Sequence, residues 1–371
     1  MKKVLAIAPY PYLPYFSGGQ KFIAKFFEYL GKELPLTVIS NYENDSSLAK
    51  TYTFRPMFRK TFSRYMDFSL VSRISQIVKE EGIDTIIWEH PYYAWLAYRV
   101  RKRTGARTFI HTHNIEYQRF RSTGKWWWPI LKQYEKWSFK MADGLFFITP
   151  EDKAFAVNEW GIVKEKCFDL PYGIEITNYP GDRASANATI KERHGISPTE
   201  KIIFFNGLLD YKPNLDALKV ILNEINPQLL ELAAFPYKII ICGNRLPSQM
   251  NDLVEYANRN VIYAGYTNEI DLYYKASDIF LNPVQTGGGI KTKMVESIAY
   301  GTTVISTTSG AAGMDSAVCG NKLVVIEDSN WKTFGRAVIE HINDQSQTPQ
   351  SYYNYYCWEN IVKRVTAALA H

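Results

Sequence analysis

The sequence contains few of the residues that bind metals or form disulfides. Its 371 residues include 4 Cys and 6 His, and the cysteines, at positions 167, 242, 319 and 357, form no CxxC pair. This spacing excludes a zinc ribbon and a thioredoxin-like redox site. Four dispersed thiols in a chain of this length are typical of the reducing cytosol. We therefore expect a cytoplasmic protein without a bound metal or other cofactor.

Long apolar runs are also missing. No stretch reaches the 18 apolar residues that indicate a transmembrane helix. Pro9, Pro11 and Pro14 follow a short apolar stretch, and no small-residue cleavage site is present, so a signal peptide is not expected. Hydrophobic residues make up 46% and charged residues 22%, as in an ordinary globular protein. The length predicts two or three domains.

Several catalytic signatures do not occur. The chain has no GxxxxGK[ST] phosphate loop and no GxSxG nucleophile elbow, and no GxGxxG follows the first predicted strand. No repeat at a solenoid period stands out. The function must therefore be sought in other motifs.

Basic and aromatic residues are concentrated in the first half. Residues 1–180 carry 26 Lys and Arg against 18 Asp and Glu, whereas residues 181–371 carry 17 against 19. Eleven basic residues lie between Arg99 and Lys140, beside Trp126–Trp128. Two interpretations remain open: this segment binds an anionic membrane surface, or the tryptophans pack under a helix and the lysines are solvated. Because no nucleic-acid module is recognisable, we expect no nucleic-acid partner.

Short apolar runs alternate with helix-length amphipathic stretches along the whole chain, which is the pattern of doubly wound parallel sheets. The predicted strands are Val4–Ala8, Leu36–Ser40, Thr85–Glu89, Thr108–Thr112, Gly144–Thr149, Ile202–Asn206, Lys238–Cys242, Val261–Ala264, Ile279–Asn282, Thr303–Thr307 and Leu323–Ile326. We expect an α/β protein with two Rossmann-like domains, residues 1–180 and 181–350, joined near a polar linker at 179–188 and facing a cleft. Residues 351–371 are expected to form a helix that either packs back on the first domain or ends the second.

The strongest motif follows the strand Ile279–Asn282. Gly287, Gly288 and Gly289 precede a helix predicted to start near Ile290. Glycines allow close approach of the backbone to a ligand, and the N-terminus of a helix attracts anions. Lys291 and Lys293 add positive charge, and Glu296 shares a helix face with Lys293. This combination predicts a site for a phosphate and for sugar or ribose hydroxyls.

A second cluster, His111-Thr-His113-Asn114-Ile-Glu116, lies at the carboxyl end of the fourth predicted strand. A neutral imidazole there can hydrogen-bond a sugar hydroxyl or orient an acceptor. His113 is the preferred candidate and His111 the alternative. Glu116 either serves the acceptor or pairs with Arg119 one helical turn away.

Together these segments resemble the GT-B fold glycosyltransferases of family 4, the large retaining group that includes sucrose-phosphate and mannosyl transferases. The resemblance covers nearly the whole chain. It implies that residues 287–296 bind the diphosphate of a nucleotide-sugar donor, with Glu296 holding the ribose. It also implies that Gly18 and Gly19, after the first strand, approach the donor phosphate, and that His113 and Asn114 face the reacting sugar.

Other segments resemble the family less completely. Residues 205–214 are similar to its loop after the first strand of the donor domain, which implies a donor contact for Gly207. Two interpretations of Lys212 remain open: it neutralises the diphosphate, or it is solvated where a helix starts at Pro213-Asn214. Tyr266 lies in a stretch like the one near the base. A family Glu is replaced here by Gly288 and a family Arg by Leu208.

The resemblance implies a metal-independent retaining transferase. Its substrates would be a nucleotide-sugar and a glycan or lipid-linked acceptor, in cell-surface polysaccharide or glycoconjugate synthesis. Its catalytic residues would be His113, Asn114 and Lys293, with His111 and Glu116 on the acceptor side. The alternatives are a nucleotide-sugar epimerase and a non-catalytic glycan- or partner-binding relative.

Overall fold

A computed structural model of the protein describes residues 2–287 and 289–370. Contacts divide the chain into two units. The first unit comprises the chain up to Glu175 together with the chain from Tyr356 onward, and the second comprises Ile176–Tyr355. The chain therefore leaves the first unit once and returns to it near its end.

The first unit contains a seven-stranded parallel sheet in the order β3-β2-β1-β4-β5-β6-β7. Its strands are β1 (Val4–Ile7), β2 (Leu36–Asn41), β3 (Thr53–Phe58), β4 (Thr85–Glu89), β5 (Arg107–Thr112), β6 (Gly144–Phe147) and β7 (Cys167–Asp169). The central strands are buried and mostly apolar, as expected where helices cover both faces of a sheet, and polar residues occur mainly near their ends.

Seven helices belong to this unit: α1 (Gly18–Glu33), α2 (Ser69–Glu81), α3 (Ala94–Thr104), α4 (Glu116–Ser122), α5 (Trp128–Met141), α6 (Pro150–Trp160) and α15 (Trp358–Ala370). Short 3₁₀ turns at Ser46–Leu48, Phe62–Met66, Pro91–Tyr93 and Lys164–Lys166 complete it. The terminal helix α15 packs on α1, and its Trp358 ring lies 5.4 Å from that of Phe22.

The second unit contains a six-stranded parallel sheet in the order β10-β9-β8-β11-β12-β13. Its strands are β8 (Lys201–Asn206), β9 (Tyr237–Cys242), β10 (Val261–Gly265), β11 (Ile279–Asn282), β12 (Thr303–Thr307) and β13 (Leu323–Ile326). The α-helices between and around the strands are α7 (Arg183–Arg193), α8 (Lys212–Val220), α9 (Asn226–Leu232), α10 (Ile270–Ala276), α11 (Thr292–Ala299), α12 (Ser316–Cys319), α13 (Trp331–His341) and α14 (Gln350–Tyr356). A π-helical turn at Ile221–Ile225 joins α8 to α9, and 3₁₀ turns occupy Ser248–Arg259 and Gly320–Lys322.

These two parallel sheets confirm the predicted α/β, doubly wound class. In each, the strand order reverses beside the first strand of the unit, between β1 and β4 and between β8 and β11. Ligands of open parallel sheets bind at the carboxyl ends of the strands next to such a reversal. Both motifs singled out in the sequence lie at these ends, one in each unit.

Some elements differ from the sequence-based expectation. The segment 179–188 is not a linker throughout, because α7 begins within it at Arg183, whose guanidinium donates to the carbonyls of Ser277 and Tyr300. The helix predicted from Ile290 begins at Thr292. The predicted helix 352–370 is two helices, α14 and α15, with Cys357 between them. No helix among the described residues is both long and apolar enough to cross a bilayer.

Candidate active site residues in the two units

A polar cavity of about 400 Å³ opens in the first unit where β1, β4 and β5 end. Its lining residues come from the loops after these strands and from the start of α1: Tyr10, Ser17, Gly19, Gln20, His90, Tyr92, His113, Asn114, Glu116 and Arg119. Ser17 caps α1 by accepting a hydrogen bond from the amide of Gln20, and the Gln20 side chain accepts from the amide of Phe16. This reciprocal cap keeps the first turn of α1 against the cavity.

Three imidazoles lie close together beside this cavity, with their planes tilted relative to one another. The ring of His113 lies between those of His90 and His111, with centroid separations of 4.2 and 4.6 Å. His111 is fully buried against Phe22 of α1, whereas His113 is 6% exposed and borders the cavity.

Glu89, the last residue of β4, is the hydrogen-bond partner of two of these rings. It is paired in register with His111 on β5, and its Oε2 atom lies 2.9 Å from His111 Nδ1 and 2.7 Å from His113 Nε2. Burial alone would raise the pKa of the Glu89 carboxyl, but the two imidazoles hold it down at about 2. Glu89 is therefore ionised at neutral pH.

The third imidazole, His90, is held by a second buried carboxylate. His90 Nδ1 lies 3.1 Å from Glu116 Oε1, and its Nε2 lies 2.8 Å from the hydroxyl of Tyr10. Glu116 also pairs with Arg119 at 2.8 Å, one of the two predicted alternatives for this residue. Burial lowers the pKa of His90 to about 4, so this ring is neutral at pH 7.

Glu89, His111 and His113 also form a group whose ligand atoms lie within 4.8 Å of one another, close enough to hold a metal ion. Their short N–O contacts are those of ordinary hydrogen bonds between imidazole N–H groups and a carboxylate. These hydrogen bonds account for the arrangement as it stands.

The glycine-rich segment of the second unit forms a tight loop between β11 and α11. Gly287 and Gly289 have φ of 90° and 73°, a region that favours glycine. A Cβ atom at Gly287 would lie 3.3 Å from the Tyr211 hydroxyl and 3.4 Å from Pro213. The loop after β8 therefore lies directly against the glycine loop. Gly288 lies outside the described residues.

Of the two predicted lysines, Lys291 contacts the glycine loop itself and Lys293 contacts the segment that follows β8. Lys291 Nζ donates to the carbonyl oxygens of Gly287 and Gly289 at 2.9 and 2.8 Å. Lys293 Nζ donates to the carbonyl of Asn206 at 3.0 Å and to Asn214 Oδ1 at 2.9 Å. Within the described chain, neither ammonium group forms an ion pair with a carboxylate.

Both ammonium groups are largely removed from water, which disfavours their charged forms. Burial lowers the pKa of Lys291 to about 8. Burial and the nearby Lys291 charge lower the pKa of Lys293 to about 7. An anion between them would restore both charges, so the arrangement suits a phosphate group.

The other residues predicted to bind the sugar donor are not gathered in one cluster. Gly207 follows β8, where a Cβ atom would lie 2.8 Å from the Asn214 side chain. Glu296 is partly buried on α11. Tyr266 is exposed after β10, and Lys212 is exposed and pairs with Asp216 at 2.6 Å, one turn along α8. Nothing in the described contacts joins Lys212 or Tyr266 to the glycine loop.

Several residues of the first-unit cavity and of the glycine-loop site are not evident from the sequence motifs. Glu89, His90 and Tyr10 enter the first because neighbouring strands end together, and Asn214 enters the second because it bridges two loops. A charged residue at the end of the buried strand Thr85–Glu89 was a usable signal for Glu89.

Two family models match the sequence. Residues 16–178 match glycosyltransferase family 4, and residues 200–344 match the glycosyl transferases group 1. The two matches cover most of the chain in the order first unit, second unit, and identify it as a glycosyltransferase enzyme. The chain belongs to the group 1, family 4 glycosyltransferases, as the sequence motifs predict. No curated protein matches it significantly by sequence.

Solved structures share the fold along the full chain. A glycosyltransferase from Rickettsia africae is 15% identical with a TM-score of 0.72, over 99% of this chain and 97% of its own. HepE from Anabaena, in complex with UDP and glucose, is 12% identical with a TM-score of 0.69 over 100% of both chains. Sucrose-phosphate synthase from Thermosynechococcus elongatus is 15% identical with a TM-score of 0.65, over 99% of this chain and 95% of its own. These similarities confirm the GT-B fold class.

Proposed function

We propose that the protein transfers a sugar from a nucleotide-sugar to a hydroxyl group of a glycan or lipid-linked acceptor, with retention of anomeric configuration. The observation that carries the proposal is the pair Lys291 and Lys293, which have depressed pKa values and no carboxylate partner in the described chain, beside a glycine loop and the N-terminus of α11. HepE, a protein of the same fold, is described with UDP-glucose, which supports a nucleoside-diphosphate sugar as the donor.

The second unit would stabilise the leaving group. As the bond between the sugar and the diphosphate breaks, the electron pair stays on the diphosphate and negative charge develops there. Lys291, Lys293 and the free amides at the start of α11 supply positive charge that is already in place before the reaction, which lowers the barrier. The proposed mechanism assigns to these groups the role that a divalent cation plays elsewhere. Glu296, on the same helix, would accept hydrogen bonds from the ribose hydroxyls.

The first unit would hold sugar hydroxyls. The cavity bordered by His113, Asn114 and Gly19 is polar and has the volume of one or two sugar rings. In the transfer, an acceptor hydroxyl forms the new bond to the sugar and gives up its proton, and the diphosphate that leaves can accept this proton. His113 and Asn114 would orient the hydroxyls during this exchange.

The surface of the first unit supports an acceptor presented at an anionic membrane. Trp126 is 81% and Ile130 68% exposed, next to Lys125 and Arg121. Trp128, by contrast, packs on Tyr117, so only part of the predicted tryptophan segment faces solvent. Exposed aromatic and aliphatic side chains beside basic ones are typical of peripheral membrane binding. A cell-surface polysaccharide or glycoconjugate pathway would supply such an acceptor.

A thermal-shift screen against UDP-, GDP- and ADP-sugars tests the proposal, because a ligand that binds only the folded state raises the melting temperature. We expect one nucleotide class to stabilise the protein. Glu296→Gln should weaken binding of that nucleotide about tenfold in calorimetry, a loss of about 1.4 kcal/mol. Glu255→Gln is a matched control in the same unit. Equal affinity of the Glu296 variant and the wild type would contradict the ribose contact, and no stabilisation by any nucleotide-sugar would contradict the donor.

A further inference from the structure

Buried carboxylates at the carboxyl edge of the first sheet face imidazole nitrogens directly. An ionised carboxylate accepts hydrogen bonds and cannot donate them. The nitrogens that face Glu89, His111 Nδ1 and His113 Nε2, must therefore both carry protons. Burial lowers the pKa of His111, so its ring is neutral and its Nε2 is a bare nitrogen. This Nε2 is buried without a hydrogen-bond partner among the described residues.

The protonated nitrogen of the neighbouring ring, His90, is fixed in the same way. Glu116 accepts from His90 Nδ1, so the bare Nε2 of His90 accepts from the Tyr10 hydroxyl. Arg119 neutralises Glu116, whereas Glu89 has no Lys or Arg partner in the described chain. The buried charge of Glu89 is therefore stabilised only by the N–H groups of His111 and His113, so both rings must donate a hydrogen bond to it.

We propose that Glu89 is a positioning residue that fixes the tautomer of His113, so that His113 presents an unprotonated Nδ1 to a sugar hydroxyl in the cavity. This inference rests on the proposed glycosyl transfer for the identity of the ligand. His113 Nδ1 makes no hydrogen bond within the described residues, and the ring borders the cavity. A neutral imidazole with Nε2 protonated can only accept at Nδ1, so it selects a ligand group that donates, such as a hydroxyl.

Neighbouring groups keep this geometry rigid. Glu89 and His111 occupy paired positions on β4 and β5, and His113 lies two residues further along, on the same side of the chain. Phe22 of α1 packs against both imidazoles, with centroid distances of 5.0 and 5.5 Å. The His113 ring can therefore not flip to exchange its two nitrogens without breaking the contact with Glu89.

The decisive measurement is long-range ¹H–¹⁵N NMR of histidine side chains in the full-length wild-type protein at pH 7, which distinguishes the two neutral tautomers. Signals are assigned by comparison with His111→Gln and His113→Gln. We expect His113 protonated on Nε2 and His111 on Nδ1. A His113 protonated on Nδ1 would overturn the proposal, and this result needs neither a substrate nor a stable Glu89 variant.

Glu89→Gln tests the consequence for activity. The amide offers one acceptor and one donor, so only one of the two imidazole N–H groups keeps an acceptor. We expect a changed tautomer for His111 or His113, a 10- to 1000-fold lower kcat and a nucleotide affinity within twofold of wild type. Unchanged tautomers together with an unchanged kcat would refute the positioning role.

Asp143→Asn is the matched control, because Asp143 is a carboxylate at the opposite end of β5, where it accepts from the amide of Thr108 and from Arg101. It should lower stability without altering the His113 signal or kcat. Metal analysis of the same samples adds one further outcome. A stoichiometric ion in the wild type that is lost in Glu89→Gln would replace the tautomer proposal with a metal site. If no sugar transfer is found with any donor, the NMR result still decides the role of Glu89.

Discussion

Lys293 is predicted to lower the stability of the free protein in return for donor binding. Replacing it with methionine keeps a long unbranched side chain but removes the ammonium group. In Lys293→Met, the glycine loop of the second unit loses half of its proposed diphosphate-binding charge. We therefore expect the variant to be at least as stable as the wild type without ligand, and to show no stabilisation by the cognate nucleotide.

The expected change in stability of Lys293→Met follows from the pKa of Lys293. The pKa of Lys293 falls from 10.5 to about 7 because the side chain is buried and lies near Lys291. At about 1.4 kcal/mol per pKa unit, the cost of the buried charge is at most about 5 kcal/mol. Partial exposure reduces this to about 3 kcal/mol. Loss of the hydrogen bonds to Asn206 and Asn214 opposes it by about 1 kcal/mol each. The net gain is about 1 kcal/mol, or about 2–4 °C in Tm.

The stability difference between Lys293→Met and the wild type also depends on pH. Between about pH 7 and 10.5 the unfolded lysine is protonated and the folded one largely is not, so the unfolded state binds more protons and the free energy of unfolding rises with pH. The cost of Lys293 is therefore fully present below pH 7 and disappears as the pH approaches 10.5. The stability of Lys293→Met relative to the wild type should therefore fall by about 1–2 kcal/mol from pH 7 to pH 9, which removes or reverses its advantage.

Thermal and urea unfolding at pH 6, 7, 8 and 9, with and without the stabilising nucleotide, measure both effects. Lys219→Met is the control, because Lys219 is exposed in the same unit and belongs to no predicted site; it should change stability by less than about 0.5 kcal/mol and keep the nucleotide response. A Lys293→Met protein that still responds fully to nucleotide, or whose advantage is constant with pH, would refute the reasoning.

Two further predictions concern packing and surface. In Gly173→Ala the new methyl group would lie 2.3 Å from the Trp358 ring, so we expect a loss of about 1–3 kcal/mol in urea unfolding, whereas Gly181→Ala, with open space at its Cβ position, should behave as wild type. Equal midpoints for both would contradict the close packing of α15. Replacing Trp126 and Ile130 together by serine should reduce flotation with anionic liposomes at least fivefold without changing Tm, since both side chains are exposed. The same pair of exchanges at Leu230 and Leu232 is the control, and equal flotation of the Trp126 variant and wild type would reject membrane binding by this surface.

The central strands could be predicted within one or two residues because runs such as 202–205 are apolar throughout. Strand β3 was missed because it contains Pro56 and is largely exposed, as edge strands are. Helices α6 and α7 were missed because each buries only two residues, Ala156 and Trp160 in one and Ala186 and Ile190 in the other. Such short apolar faces give no periodic signal.

The candidate site was predictable where function is carried by consecutive residues and unpredictable where it depends on pairing. The residues of each motif, 287–296 and 111–116, are close in sequence, so both motifs are visible in the sequence. Glu89 lies 22 positions from His111 and acquires its role only through the register of β4 with β5. The predicted roles of His113, Asn114, Glu296 and the other site residues stay predictions until the variants are measured.

The return of the chain to its first unit has a consequence for biosynthesis. A ribosome synthesises residues in order, so every residue of the sheet β8–β13 has been synthesised before α15. The first unit therefore remains incomplete, with the α1 surface around Phe22 uncovered, until α15 has been synthesised. Released chains that stop before Trp358 should contain a protease-resistant later unit and an unfinished earlier one.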